Sequence, residues 1–133
     1  MAGTASRGEV EELSQTSRFS VHTEDDHSSA TVVVVSGDVD LGTAPDFEDE
    51  LARAVEHYQG TGLVIDLTGV SFIDSTGLNS LVRAFERQRL LGSKLALVTD
   101  DSRVSMMLEV TRLDRVLKRY ATRGEALVAV AAD

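Results

Sequence analysis

Residues 63–81, LVIDLTGVSFIDSTGLNSL, decide how this chain folds. They begin as a buried-strand pattern, Leu63-Val64-Ile65-Asp66-Leu67, turn through Thr68-Gly69-Val70, and resume as an extended Ser71-Phe72-Ile73. After Asp74-Ser75-Thr76-Gly77 the apolar spacing changes. Leu78, Leu81, Val82 and Phe85 stand at i, i+3, i+4 and i+7, one face of a helix. Ser75 is thereby expected at or just before the first helical turn, a natural N-cap position. A hydroxyl there lies beside unpaired backbone N–H groups and the positive end of the helix dipole. The strand-to-helix corner also holds it at the surface, within reach of a partner.

Working outward, the N-terminal side reads as a hairpin. Phe19 and Val21 alternate with polar residues as a first strand, Thr23 to Ser29 form a polar turn, and Ala30 to Ser36 (ATVVVVS) form a β-branched central strand. Gly37-Asp38-Val39-Asp40 is expected to turn out of that strand. Thr43 is the expected N-cap of a helix with Pro45 near its start and a stripe of Phe47, Leu51, Ala54, Val55 and Tyr58. On the C-terminal side the helix of the deciding stretch runs to Leu90 or Leu91 and stops at Gly92. Lys94 to Val98 form a strand, and Asp100-Asp101-Ser102 cap a helix bearing Val104, Met107 and Leu108. Val116 to Tyr120 form an edge-like strand, and Thr122 opens a last helix.

The order β-β-α-β-α-β-α-β-α predicts an α/β fold: a mainly parallel sheet of four to five strands, opened by a β-hairpin and covered by about four helices. Residues 1–17 are small and polar and read as a mobile tail, with one domain over 18–133. In such folds partners meet the loops at the carboxyl ends of the strands. Asp40, Asp74-Ser75 and Thr99-Asp100 all follow strands and are expected to share one sheet edge.

Composition narrows the function classes. The absence of cysteine excludes disulfides, thiolate catalysis and Cys-ligated metals. A formal net charge of −9 argues against nucleic acid as the partner. The longest aliphatic run, Val32 to Val35, is too short to span a bilayer, and the first residues have no signal-peptide core; cytoplasmic is the expectation.

Enzyme chemistry finds little support. Ile73-Asp74-Ser75-Thr76-Gly77 lacks the first glycine of a Gly-x-Ser-x-Gly elbow, and His22, His27 and His57 all precede Ser75. Phosphate-loop and dinucleotide glycine patterns are absent, and the histidines have no metal-ligand spacing. Neither a cofactor nor a metal is expected. Asp25 and Asp26 read as solvated turn residues, and Asp66 as a strand-end carboxylate satisfied by backbone N–H groups. On these residues alone, Asp74-Ser75-Thr76-Gly77 reads equally well as a plain helix cap with a glycine for close packing.

A resemblance weighs on that choice. Asp66-Leu67-Thr68-Gly69-Val70-Ser71-Phe72-Ile73-Asp74-Ser75-Thr76-Gly77-Leu78 resembles the signature of the bacterial anti-sigma factor antagonists of the STAS-domain family. Gly37-Asp38-Val39-Asp40 with Thr43-Ala44-Pro45, Leu113 to Leu117, and Thr122 to Leu127 agree with it, so the likeness spans about Phe19 to Ala131. The resemblance implies a STAS fold and a protein switch rather than an enzyme. The unphosphorylated antagonist binds an anti-sigma factor, often itself a serine kinase, and frees a sigma factor. Phosphorylation at Ser75, with Thr76 as secondary acceptor, dissociates the complex, and a metal-dependent Ser/Thr phosphatase resets it. Asp40, Asp74, Ser75, Thr76, Gly77, Leu78 and Asn79 are the expected partner-binding residues, in a monomer without membrane or nucleic-acid contact. The alternative is a STAS scaffold or sensor within a larger signalling assembly, without phospho-switching.

Overall fold

The computed structural model describes residues 18–26, 30–100 and 102–131. The expected tail (1–17), the tip of the hairpin turn (27–29) and Asp101 of the third helix cap lie outside them. The sheet has five strands in the order β1-β2-β3-β4-β5: β1 (Ser20–Asp26), β2 (Ala30–Val39), β3 (Gly62–Ile73), β4 (Leu95–Val98) and β5 (Arg119–Tyr120). β1 pairs antiparallel with β2, and every other pairing is parallel. The helices are α1 (Ala44–His57), α2 (Ser75–Leu90), α3 (Ser102–Val110) and α4 (Arg123–Val130). The predicted α/β fold and element order are those found.

Side-chain alternation along the strands divides the interior in two. Val33, Val35, Leu63, Ile65, Leu67, Leu95 and Leu97 face α1, α2 and α3, meeting Phe47, Leu51, Leu81 and Leu108 in the larger core. Ala30, Val32, Val64, Ala96 and Val98 face the other way and are covered by Ala126 and Val130 of α4. Burying a Leu or Phe side chain is worth about 1.5–3 kcal/mol each, so the three-helix side carries most of the apolar stabilisation.

Several expected boundaries shift, each for a physical reason. β3 is one strand of 12 residues, with no turn at Thr68-Gly69. Between the pairs Val34↔Asp66 and Ser36↔Gly69 it gains one residue on β2, and between Gly37↔Val70 and Asp38↔Phe72 it gains another. Two β-bulges thus absorb the turn-like residues without breaking the strand. β2 likewise continues through Gly37-Asp38-Val39 rather than turning. Asp25 and Asp26 belong to β1, not to the turn. The last strand is only Arg119–Tyr120, because Leu113–Arg115 winds into a 3₁₀ turn entered through Arg112 at φ 64°.

Two polar groups pin the layers. Gln88 of α2 is 1% exposed and donates to the carbonyls of Thr61 (3.0 Å) and Lys94 (2.9 Å), tying the helix to the starts of β3 and β4. Asp66 is 7% exposed and accepts from Arg123 Nη2 at 2.8 Å and from the Thr68 N–H and hydroxyl at 3.0 and 2.7 Å. Arg123 also reaches Glu24 at 3.0 Å, so α4 is clamped to β3 and β1. The backbone N–H group of Thr68 accounts for only part of the expected reading of Asp66; the ion pair is the rest. Arg18 and Val130 fall at opposite ends of the sheet: the Arg18 carbonyl lies against Gly37, late in β2, whereas Val130 lies against Gly62, at the start of β3.

Candidate functional site at the corner of β3 and α2

Parallel pairing of β2 with β3 brings the ends of both strands together. The pairing reaches Val39↔Ile73, and the Asp74 N–H continues it by donating to the Val39 carbonyl at 3.0 Å. The loop 40–43 and the corner 74–77 are therefore neighbours. Thr99-Asp100 is not part of this cluster. β4 pairs with β3 only as far as Asp66↔Val98, and β3 runs on for seven more residues. At about 3.3 Å per residue, that leaves Thr99 roughly 15–20 Å short of the corner.

Asp74, not Ser75, is the N-cap of α2; Ser75 is the first helical residue. The Asp74 backbone is extended, and its Oδ1 accepts from the N–H groups of Thr76 (2.9 Å) and Gly77 (3.2 Å) and from the Thr76 hydroxyl. The carboxylate wins over the serine hydroxyl because a full negative charge makes stronger bonds to these N–H groups and complements the dipole. Partial burial pushes the Asp74 pKa up. The Thr76 hydroxyl and the N–H groups of Gly77, Thr76 and Leu41 outweigh this and hold the carboxyl below its ordinary range. The Leu41 contact ties the cap to the neighbouring loop.

That loop is organised by Asp40 and Thr43. Asp40 Oδ1 accepts from the N–H of Gly42 (3.0 Å) and the N–H of Thr43 (3.2 Å). Thr43 occupies the N-cap of α1 with Pro45 in the first turn, but its hydroxyl makes no cap bond; it donates backward to the Asp38 carbonyl at 2.8 Å. The result is a fixed loop that presents Leu41, 75% exposed, beside the corner.

The expected site residues divide by burial. Ser75 and Asn79 are exposed; Asp40, Asp74 and Thr76 are half-buried. Gly77 and Leu78 lie in the interior, where they seat α2 rather than offer surface. A Cβ on Gly77 would come within 2.6 Å of Val39 Cγ1 and 2.7 Å of Ile73 Cγ1. No hydrogen bond of the Ser75 hydroxyl is found among the described residues.

A groove of about 300 Å³ runs from this corner between α1 and α2, lined by Leu41, Pro45, Glu48, Thr76, Asn79 and Arg83 among others. Glu48 accepts from the Ser80 hydroxyl and from Arg83, both at 2.8 Å, and lies 3.6 Å from Arg87. Burial pushes the Glu48 pKa up, and the Ser80 and Arg83 bonds bring it below the usual value. Sequence reasoning missed Leu41, Glu48 and Arg83. The i, i+3 and i+7 spacing of Thr76, Asn79 and Arg83 was the available signal. Among the described residues, no three His, Asp or Glu side chains gather as metal ligands, and no helix is long and apolar enough to cross a membrane.

Comparison with known proteins agrees with this architecture. The STAS domain profile matches residues 19–126. An anti-sigma-B factor antagonist of Listeria monocytogenes is 38% identical over 96 residues, covering 70% of this chain and 81% of that protein. The anti-sigma-F factor antagonist RsfB of Mycobacterium tuberculosis is 31% identical over 107 residues, covering 79% and 84%. The crystal structure of an anti-sigma factor antagonist from Mycobacterium paratuberculosis superposes with a TM-score of 0.78 at 32% identity, over 86% of this chain and 95% of that one. The chain belongs to the STAS-domain family of anti-sigma factor antagonists.

Proposed function

We propose that this protein is a cytoplasmic partner-switching module without catalytic activity: its unphosphorylated form binds an anti-sigma factor and releases a sigma factor, and phosphorylation of Ser75 by that anti-sigma kinase ends the contact. A Ser/Thr phosphatase restores the binding form. The observation that carries this reading is the Ser75 side chain, exposed on the first residue of α2 with its hydroxyl uncommitted, between the fixed carboxylates of Asp74 and the Asp40 loop. The Thr76 hydroxyl is already bonded to Asp74, which makes it the poorer acceptor.

Electrostatics supply the switch. A phosphoserine adds about −1.5 to −2 charges at neutral pH. Within this chain the charge sits at the positive end of the α2 dipole, which tolerates it although Asp74 already takes the N–H groups of Thr76 and Gly77, so no refolding is needed. In a contact it adds to Asp40 and Asp74 and must be desolvated, which weakens binding by several kcal/mol where the interface is dry, on the order of the cost of a buried unpaired charge.

The test is a titration of wild type, Ser75→Ala and Ser75→Asp against the anti-sigma factors of the source organism, with phosphosite mapping after incubation with ATP. Ser75→Ala is expected to bind as wild type and take up no phosphate, and Ser75→Asp to bind at least tenfold more weakly. Equal binding by Ser75→Asp would refute electrostatic exclusion.

A further inference from the structure

We infer that a second surface, formed by α3, the 3₁₀ turn and the entry to β5, binds the anionic face of a phospholipid bilayer. β4, which leads into α3, stops at the level of Asp66, well short of the Ser75 corner, and the inference is independent of the partner-switching reading.

Burial along α3 fixes which residues it presents. Val104 and Leu108 are in the core, so the helix turns Arg103, Met106 and Val110, at i, i+3 and i+7, to the outside, and all three are exposed. The chain that follows is laid alongside. Arg119 reaches back to the Ser105 carbonyl (3.2 Å) and to Glu109 (2.5 Å), and Leu117 is buried in the same core as Leu108. Val116 and Lys118, on either side of Leu117, are exposed, as are Arg112 and Arg115.

Charge and apolar surface coincide there. Residues 103–119 carry five basic and two acidic side chains, a net of +3 on a chain of −9. Of the two carboxylates, Glu109 is taken by Arg119. Arg112, Arg115 and Lys118 make no side-chain hydrogen bond or ion pair among the described residues. The acidic remainder of the chain does not cancel them from a distance, because charges are screened over about 8 Å at physiological ionic strength. Arg112 adds a backbone argument. It is the only non-glycine residue at positive φ (64°) among the described residues. That position, which ends α3, favours glycine, and an arginine holds it at a cost in local strain.

The mixture selects the occupant. Protein interfaces gather apolar side chains at a centre depleted of charge. Here Met106 is one turn from Arg103, and Val116 stands between Arg115 and Lys118, so the two kinds of surface interleave. A bilayer accepts that arrangement: aliphatic groups enter below the headgroups while basic groups stay at the phosphates.

The experiment is co-sedimentation with vesicles of phosphatidylglycerol and phosphatidylcholine in equal parts, and of phosphatidylcholine alone, at low and at physiological salt. Wild type is expected to partition onto the anionic vesicles, more weakly as salt rises, and not onto the neutral ones. Each basic residue near an anionic leaflet raises partitioning roughly fivefold, so Arg115→Gln/Lys118→Gln should bind roughly 25-fold more weakly. Arg112→Gly should bind roughly fivefold more weakly yet melt no lower than wild type, since it removes a charge and relieves the backbone. Val110→Ser should weaken binding without changing its salt dependence. No partitioning of wild type onto anionic vesicles at low salt overturns the inference, as does partitioning that Arg115→Gln/Lys118→Gln leaves within twofold. Self-association lost in that double variant, without vesicle binding, would assign the surface to a second copy of this chain. Binding to polyglutamate but not to vesicles would assign it to an acidic protein. Either result overturns lipid as the occupant.

Discussion

Replacing Gly77 by alanine should destabilise the domain by about 1–2 kcal/mol, although alanine is the better helix former. Two opposing effects set that value. Gly77 is the third residue of α2, and the change to alanine gains at most about 1 kcal/mol of helix propensity, less in a first turn. Against it, the new methyl would lie 2.6 Å from Val39 Cγ1, 2.7 Å from Ile73 Cγ1 and 3.1 Å from Ile73 Cδ1. Val39 is 0% exposed and Ile73 1%, and both are β-branched, so neither side chain can swing aside. Overpacking of this kind costs about 1–3 kcal/mol, and it wins. Gly124, in the first turn of α4, is the internal control: a Cβ there meets nothing within 4 Å. Gly124→Ala should therefore stabilise by about 0.4–1 kcal/mol through the unfolded state. Urea denaturation with a common slope, checked by thermal melts, reads both; Gly77→Ala should lower the melting temperature by roughly 4–8 °C. A Gly77→Ala protein as stable as wild type would show that close packing of α2 on the strand ends is not what requires the glycine.

Arg123→Ala leaves Asp66 buried with only Thr68 as partner and should cost about 2 kcal/mol, at the low end for a broken pair because Arg123 is itself partly exposed. Burial pushes the Asp66 pKa up, but the bonds from Arg123 and Thr68 hold it below its usual 3.8. A depressed folded-state value means that this stability is present above the usual value and lost as pH falls through the folded one. Wild type should thus lose more stability than Arg123→Ala on acidification below about pH 4, as equilibrium unfolding at pH 3 and pH 6 would read. Gln88→Leu should cost roughly 1–3 kcal/mol, measurable by urea denaturation, because it removes the side-chain donor to the Thr61 and Lys94 carbonyls.

Most of the architecture was legible because apolar periodicity changes sharply along this chain. The faces of α1 and α2 and the β-branched run of β2 each signal their element. Thr122 was legible as the start of the last helix, and the structure adds that it caps α4 in a reciprocal box with Glu125. The misreadings share a cause, in that local turn chemistry was overruled by pairing at a distance. Thr68-Gly69 reads as a turn, yet β2 holds that segment in the sheet and the surplus residues become bulges. Ser75 reads as a cap, yet the neighbouring carboxylate takes the same donors more strongly. Gln88 and the Asp66–Arg123 pair carry no local signal, since their partners are set by tertiary contact, in the latter case 57 residues apart. The corner of the site was visible in one continuous stretch; its groove was not, because it requires the packing of α1 on α2.

The separation of Arg18 from Val130 along the sheet has a practical consequence for reporters and fusions. Arg18 sits beside Gly37, near the strand ends that carry Asp40 and Ser75, whereas Val130 abuts Gly62 at the other end of the sheet. β2 spans most of that distance, about 23 Å between the levels of Ala30 and Gly37. A fluorophore or affinity handle attached after α4 leaves the molecule on the side away from the corner. The same handle joined directly at Arg18 would hang over the face on which an anti-sigma factor is proposed to dock.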